Sequence, residues 1–138
     1  MTTKVEVARS VTPDLSQLWD EALRGLRAHR GGPEMMDAEM GQRDPSELLS
    51  QLVKDRGITL AFIDETLVGF AAVELGVIEA IYVERSRRRQ GVGRSLVDHL
   101  LNSPFPPRDA HVLPGDRAMK SLYESFGWKA RLLTMRGE

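Results

Sequence analysis

The chain has 138 residues, of which 41% are hydrophobic, and its formal net charge is -1 at pH 7. This length and hydrophobic content suffice for one domain and exclude two of ordinary size, so we expect residues 1–138 to form a single domain. A charge so close to zero argues against a surface built throughout for nucleic acid. The absence of cysteine excludes disulfides, thiolate metal ligands and an acyl-cysteine intermediate.

No segment of the sequence predicts a leader or a membrane span. The first six residues lack the apolar core of a signal peptide, and no apolar run approaches the ~20 residues that a membrane helix needs. We therefore expect a cytoplasmic location and no membrane partner.

The first predicted elements are a strand and a long helix. Residues 4–8 alternate between apolar and polar side chains, as a half-buried strand does. Thr12 is a suitable N-cap and Pro13 a suitable first helical residue, and the leucines that follow recur at steps of three and four residues. The pattern predicts a helix over about 13–30 that ends at the glycines 31–32.

A second helix follows, after a predicted loop. Asp44 is a suitable N-cap, and Glu47 stands three positions after it. The helix that begins here ends at Gly57. Between the two helices we expect a loop over 31–43. Its methionines either line a binding surface or pack on the core, and they are Met35, Met36 and Met40.

The second half of the chain predicts a sheet with helices. Two runs rich in β-forming residues, 58–63 and 67–75, are followed almost without a gap by a third at 77–83, which indicates an antiparallel meander. The sequence therefore predicts a mixed α/β fold with helices on a twisted, mostly antiparallel sheet. The remaining predicted elements are a helix after the glycine turn, a short strand at about 109–113, a helix at 116–126 and a final strand near 128–135.

The turn after the third run has the composition of a phosphate-binding loop. Gly91 and Gly93 let the backbone approach a ligand closely, and the amide groups that open the following helix have no partner inside it. No lysine follows these glycines, which excludes the Walker pattern. The third glycine position of the dinucleotide fingerprint is Leu96, which excludes that pattern too.

Two motifs in this half resemble a known family. The turn, Arg88-Arg89-Gln90-Gly91-Val92-Gly93, resembles the Arg/Gln-x-x-Gly-x-Gly/Ala pyrophosphate loop of the GCN5-related N-acetyltransferases, or GNAT proteins. Residues 116–128 are similar to the later motif of that family, Asn-x-x-Ala-x-x-Leu-Tyr-x-x-x-Gly-Phe. The resemblance covers residues 58–128 and implies the GNAT fold, a central sheet flanked by about four helices.

The resemblance implies acetyl-coenzyme A as cosubstrate, with no metal. The pyrophosphate would lie on the amides of residues 89–95 at the positive end of the helix dipole, while Ile81 or Val83 would contact the acetyl carbonyl or the pantetheine arm. The arginines at 85, 87 and 94 either pair with a phosphate or are solvated. The residues expected to contact the coenzyme are Ile81, Tyr82, Val83, Arg88, Arg89, Gln90, Gly91, Val92, Gly93, Arg94, Ser95, Asp116 and Tyr123.

Glu79 is the candidate general base. It is the only charged residue in the run 77–83, and partial burial in such a strand would raise its pKa and make it a better proton acceptor. Alternatively, it lies at the solvated end of the strand or pairs with an arginine of the turn. His111, in the neighbouring short strand, is the second candidate for the base.

Tyr123 is the candidate general acid. By resemblance, it occupies the place of the tyrosine that donates a proton to the departing thiolate. Helical periodicity alone favours a core residue with its hydroxyl at the rim, because the apolar positions of the helix form one stripe. That stripe consists of Ala118, Met119, Leu122, Tyr123 and Phe126.

Four positions depart from the pattern of the family. Arg85 replaces a frequent proline and Arg89 a frequent glycine, and both are tolerable because two glycines remain. Asp116 replaces the asparagine that commonly contacts the coenzyme arm, and Met119 replaces a small alanine, which would crowd the coenzyme. The last two weaken the coenzyme contacts that the resemblance implies.

The sequence thus predicts an N-acetyltransferase that transfers an acetyl group to a primary amine by direct attack on the bound thioester. The alternative is an inactive module that binds or senses acyl-coenzyme A. A nucleic-acid patch at 85–94 is disfavoured because no aromatic residue follows Tyr82 there.

The acceptor and the oligomeric state are less well defined by the sequence. The acceptor is a small molecule or a peptide, and four acidic residues favour a cationic one: Glu34, Asp37, Glu39 and Asp44. The resemblance also implies a homodimer, although no residue marks its interface.

Overall fold

The computed structural model describes residues 2–28, 31–41, 43–135 and 137. Its five strands form one sheet in the order β1-β2-β3-β4-β5. The strands are β1 Thr3–Val7, β2 Ile58–Ile63, β3 Thr66–Glu74, β4 Val77–Val83 and β5 Asp109–Ala110. The helices are α1 Pro13–Ala28, α2 Gly32–Met40, α3 Pro45–Lys54, α4 Val92–Leu101 and α5 Arg117–Ser125, and a single 3-10 turn spans Arg85–Arg87.

The predicted fold class is confirmed. Strands β1 to β4 pair as an antiparallel meander, and β5 joins the sheet in parallel with β4. The N-cap predicted for α1 is also present, since the Leu15 amide donates to Thr12 Oγ1 over 3.2 Å. Helix α1 ends at Ala28 among the described residues, and positions 29 and 30 of the predicted helix lie outside them.

The two faces of the sheet carry two separate hydrophobic cores. On one face, α1 and α3 pack on the sheet around Phe70 and Trp19, whose ring centroids are 5.7 Å apart. On the other face, α4 and α5 pack on the sheet around Leu96 and Val97, which are fully buried. The sheet is therefore the middle of three layers, and a gap in it would connect the two faces.

The loop predicted over 31–43 was wrong, because most of it is helix α2. Glycine and proline at its start suggested a loop, but proline suits the first turn of a helix and the following Glu, Met and Ala residues favour helix. Gly32 is required where α2 approaches α1, since a Cβ there would lie 1.8 Å from the Leu26 carbonyl oxygen. Met36 is buried and Met40 packs on the α1–α3 core, while the side chain of Met35 lies outside the described residues.

The final strand predicted near 128–135 was also wrong: these residues adopt no regular structure. A strand needs a neighbouring edge to pair with, and β5 offers only two residues. Gly127, with φ +86°, turns the chain back so that the Trp128 amide reaches the Tyr123 carbonyl. Beyond Trp128, Leu132, Leu133 and Met135 are exposed.

Strands β4 and β5 separate almost as soon as they meet. The paired residues are Val77 with Asp109 and Ile78 with Ala110, and one further bond joins the His111 amide to the Ile78 carbonyl. From Glu79 onwards, therefore, β4 is paired with β3 on one side only. A β-bulge lies at the same point, because Val73 of β3 is opposite Ile78 while Ala72 is opposite Ala80, which leaves Glu79 as the extra residue.

Within the described part of the chain, none of the helices is long and apolar enough to cross a membrane.

Candidate functional site

A groove of about 930 Å³ opens where β4 and β5 separate. It passes from one face of the sheet to the other. Its wall on the α4–α5 face includes Arg88, Gly93, Leu122 and Tyr123, and its wall on the α1–α2 face includes Trp19, Leu23, Met36 and Tyr82.

Backbone groups of β4 line the open edge of the groove. In an antiparallel strand, the N-H and C=O of one residue point to the same side, and that side alternates along the chain. The Glu84 amide bonds to β3 through Val68, whereas the Val83 carbonyl accepts from Arg88 Nε over 2.9 Å on the other side. Ile81 and Val83 therefore present their backbone to the groove, and Tyr82 presents its backbone to β3.

Helix α4 starts at the mouth of the groove. Gly91 is its N-cap with φ +82°, a left-handed conformation that glycine adopts at no steric cost. The Ser95 amide donates to the Gly91 carbonyl over 3.0 Å and is thus already used within the helix. The amides of Val92, Gly93 and Arg94 precede that first bond, so they are the N-H groups that the helix leaves for an anion.

Gly93 serves the packing of α4 against α5. A Cβ at this position would lie 3.2 Å from Leu122 Cδ2, closer than most real contacts. The second glycine of the motif thus lets α5 approach the start of α4, whereas the first one supplies the left-handed N-cap.

The arginines of the turn do not all face solvent. Arg88 donates to the Val83 carbonyl and its Cζ lies 5.5 Å from the centroid of the Tyr82 ring. Arg94 Nη2 donates to Ser125 Oγ over 2.9 Å, and its Cζ lies 5.1 Å from the Phe126 ring. Arg87 and Arg89 line the groove with them, so four arginines from the turn and the first residues of α4 contribute to its wall.

Sequence reasoning missed the residue that shapes the entry to this turn. Glu84 accepts hydrogen bonds from the Ser86 amide and hydroxyl and so caps the 3-10 turn. The Ser86 hydroxyl is the main reason that the pKa of the Glu84 carboxyl is lowered, and Arg87 and Arg88 add to the effect. The Glu-x-Ser spacing directly after a strand was the available signal.

The two candidates for the general base contact each other. Glu79 Oε2 lies 2.9 Å from His111 Nδ1, and the exposed fractions of the two side chains are 17% and 46%. An ionised carboxylate only accepts, so Nδ1 carries the hydrogen of this bond. The neutral imidazole then has its lone pair on Nε2. Glu79 is thus a partly buried carboxylate with a histidine partner.

Tyr123 is buried, with 5% of its surface exposed, and it lines the groove. Its ring stacks on Trp128 with the centroids 5.6 Å apart. Burial raises the pKa of the Tyr123 hydroxyl above its usual value, and the negative charge of Asp116 raises it further. The hydroxyl therefore keeps its proton throughout the physiological range.

Asp116 caps helix α5, and Met119 packs against the core beside it. Asp116 Oδ1 accepts from the Met119 amide over 3.1 Å and is thus the N-cap of α5. Met119 is half-buried against the α4–α5 core, and both side chains line the groove. The capping role explains why an aspartate is acceptable where the GNAT motif has asparagine, since both residues are strong N-caps.

Fold and groove together define the class of the protein. An open strand edge that leads to a helix N-terminus can bind an extended arm and a phosphate group together. The chain matches the family model of the acetyltransferase (GNAT) domain over residues 54–130, more than half of its length, and it belongs to this family.

Solved structures with the same fold include enzymes with bound coenzyme A. PaiA N-acetyltransferase from Thermoplasma acidophilum, in complex with coenzyme A, is 15% identical, with a TM-score of 0.64, and the match covers 95% of this chain and 92% of that one. Diaminobutyrate acetyltransferase EctA from Paenibacillus lautus, in complex with its substrate and coenzyme A, is 20% identical, with a TM-score of 0.60 and coverages of 91% and 75%. A GNAT family protein from Streptococcus pneumoniae is 18% identical, with a TM-score of 0.61 and coverages of 99% and 100%. No curated protein sequence matches the chain.

Arg89 adopts φ +65°, a left-handed conformation that costs a residue with a side chain about 1 kcal/mol. We expect Arg89→Gly to be more stable than Arg89→Ala by about that amount, because both variants lack the guanidinium and only glycine lacks the strain. Urea unfolding of the two variants measures the difference. Equal stabilities would contradict the assigned conformation.

The raised pKa of Tyr123 predicts a loss of stability in alkali. As the pH rises above 10.0, the ordinary pKa of tyrosine, the unfolded chain releases this proton while the folded chain keeps it, so the folded state becomes less stable. Between pH 8 and pH 11, the wild type should lose roughly 1 kcal/mol more free energy of unfolding than Tyr123→Phe. Equal losses of the free energy of unfolding in the two proteins would show that the Tyr123 hydroxyl has an ordinary pKa.

Proposed function

We propose that residues 1–138 form one N-acetyltransferase domain that transfers the acetyl group of acetyl-coenzyme A to a primary amine by direct attack. The observation that carries this proposal is the continuity of the groove: the open edge of β4 leads directly to the N-terminus of α4. One side offers hydrogen bonds for an extended arm, and the other offers amides and positive charge for phosphates.

The coenzyme would follow this path. Its pyrophosphate would bind the amides of Val92, Gly93 and Arg94, with Arg88 and Arg89 supplying positive charge nearby. Its pantetheine arm would run along β4 and bond to the backbone of Ile81 and Val83, almost as an added strand. The structures of PaiA and EctA in complex with coenzyme A support a coenzyme site in this fold.

The reaction forms a C-N bond and breaks the C-S bond of the thioester. The amine arrives as an ammonium and must lose a proton before it attacks. We assign this step to the carboxylate of Glu79, directly or through a water, with His111 as the group that orients the carboxylate. The β-bulge supports this assignment because bulges re-aim side chains next to active sites.

The negative charge that develops on the acetyl oxygen requires a donor. The backbone N-H of Ile81 or Val83 faces the groove and would supply it. The coenzyme thiolate then leaves and takes a proton from Tyr123, whose hydroxyl is protonated at working pH and whose pKa burial raises further.

Coenzyme binding is tested by calorimetric titration of acetyl-coenzyme A into the wild type, Gly91→Glu and Gly76→Glu. Gly76 is the matched control: its φ is +81° against +82° at Gly91, and an added Cβ meets nothing within 4 Å at either position. Both variants thus carry the same backbone strain, and only Gly91→Glu adds bulk and negative charge at the start of α4. We expect its Kd to rise tenfold or more, roughly, and that of the control to stay unchanged.

Equal binding by Gly91→Glu and the wild type would place the coenzyme elsewhere. Binding by the wild type without thiol release in the presence of any amine would favour the inactive acyl-coenzyme A module.

The assignment of the base is tested by Glu79→Gln, which preserves the shape of the side chain and removes its charge. We expect kcat to fall by about 10²–10³ with acetyl-coenzyme A binding unchanged, because only the proton acceptor is lost. Glu124→Gln, an equal change of charge at an exposed site on α5, is the control. If His111→Ala lowers kcat more than Glu79→Gln does, the imidazole is the base and the carboxylate orients it.

A further inference from the structure

The half of the groove on the α1–α2 face is an apolar chamber, defined by Trp19, Leu23, Leu26, Met36, Met40 and Tyr82. Trp19 and Met36 are buried, and the other four side chains are half-buried. Phe70 continues this surface below them, with its ring 6.2 Å from that of Tyr82. Such a lining is typical of a site that binds the hydrophobic body of a ligand.

The carboxylates at the chamber are already engaged. Glu74 forms a two-bond ion pair with Arg43, with distances of 2.9 and 3.2 Å, and Glu79 is bonded to His111. At the end of the Tyr82 ring, Glu21 accepts from the Tyr82 hydroxyl over 3.5 Å. Two of the four acidic residues that favoured a cationic acceptor, Glu34 and Asp44, are exposed, and Asp44 accepts from the Ser46 hydroxyl. The side chains of Asp37 and Glu39 lie outside the described residues. Among its described side chains, helix α2 contributes Met36 and Met40 to the chamber.

The chamber meets the Glu79–His111 pair. Ala110 and Val112 pack on the α4–α5 core, so the alternation of the chain directs His111 to the opposite face. Leu113 lies on that face as well, since its Cδ2 is 3.9 Å from the Cβ position of Gly31. An amine whose body fills the chamber would thus have its nitrogen next to the proposed base.

We propose that the acceptor is a primary amine with an apolar body, an alkylamine or arylalkylamine in chemical class, and that the chamber binds this body. The inference rests on the proposed function for the identity of the reacting group. The coenzyme path occupies the α4–α5 face, which leaves the α1–α2 face for the acceptor. A long acyl chain in the chamber would instead displace the amine from Glu79.

Two amines of equal length test the proposal. n-Hexylamine ends in a methyl group, and 1,5-diaminopentane has a second ammonium group at the same position. We expect kcat/KM for thiol release from acetyl-coenzyme A to be about 100-fold higher with n-hexylamine, because the chamber cannot solvate a second charge. A preference for 1,5-diaminopentane would overturn the proposal. So would faster turnover with hexanoyl-coenzyme A than with acetyl-coenzyme A when 1,5-diaminopentane is the acceptor, which would assign the chamber to the acyl chain.

The variant Leu26→Gln makes the lining polar at a half-buried position without changing charge. We expect kcat/KM for n-hexylamine to fall about tenfold, with the Kd of acetyl-coenzyme A unchanged. The control is Ala28→Gln, at an exposed position of the same helix outside the groove. Equal effects of the two substitutions would contradict a role for the chamber.

Direct calorimetric titration of n-hexylamine, with and without coenzyme A, separates this inference from the proposed function. Binding of n-hexylamine that Leu26→Gln weakens supports the apolar chamber even if no turnover occurs. No binding by a protein that does bind acetyl-coenzyme A would overturn the inference and leave the coenzyme site standing. Failure to bind acetyl-coenzyme A would defeat the proposed function alone.

Discussion

The end of β4–β5 pairing after Ile78 is the constraint on which the rest of the site depends. A strand paired on one side only has unused hydrogen-bonding groups on the other, and these are costly to bury without a partner. A fully paired β4 would use the backbone of Ile81 and Val83 within the sheet and would close the passage between its faces. The bulge in the β3–β4 pairing lies at the same point, so the residue that it re-aims, Glu79, stands where the groove opens.

The far end of the groove is built by the approach of α5 to α4. Gly93 lets Leu122 come close, and Arg94 spans the two helices through Ser125 and Phe126. These contacts connect α5, which carries Tyr123, to the start of α4, while Trp128 stacks on the Tyr123 ring. The proposed phosphate site and the proposed acid are therefore parts of one packed unit, and a change in the packing of either helix would reach both.

The two halves of the groove differ in chemistry because they belong to different layers. The α4–α5 side has a helix N-terminus and four guanidinium groups, which suit a polyanion. The α1–α2 side has aromatic rings, leucines and methionines. The sheet separates these environments, and the gap between β4 and β5 is where the two substrates would meet. This separation suits a reaction whose two substrates differ in charge.

The sequence by itself determined the fold class, the bounds of most elements and the glycine turn that opens α4, because these follow from local rules: periodicity, caps and glycine at a left-handed position. The approach of Glu79 to His111, across 32 positions of sequence, was not predictable, since it depends on where two strands part. Helix α2 was missed because its first residue, Gly32, is a glycine that close contact with α1 requires, and not the sign of a loop. The final strand was wrongly predicted because an edge two residues long offers too few groups for it to pair with. Only the tertiary structure decided the pairing of the base candidates and the apolar lining of the chamber, because both arise from contacts between segments that are distant in the chain.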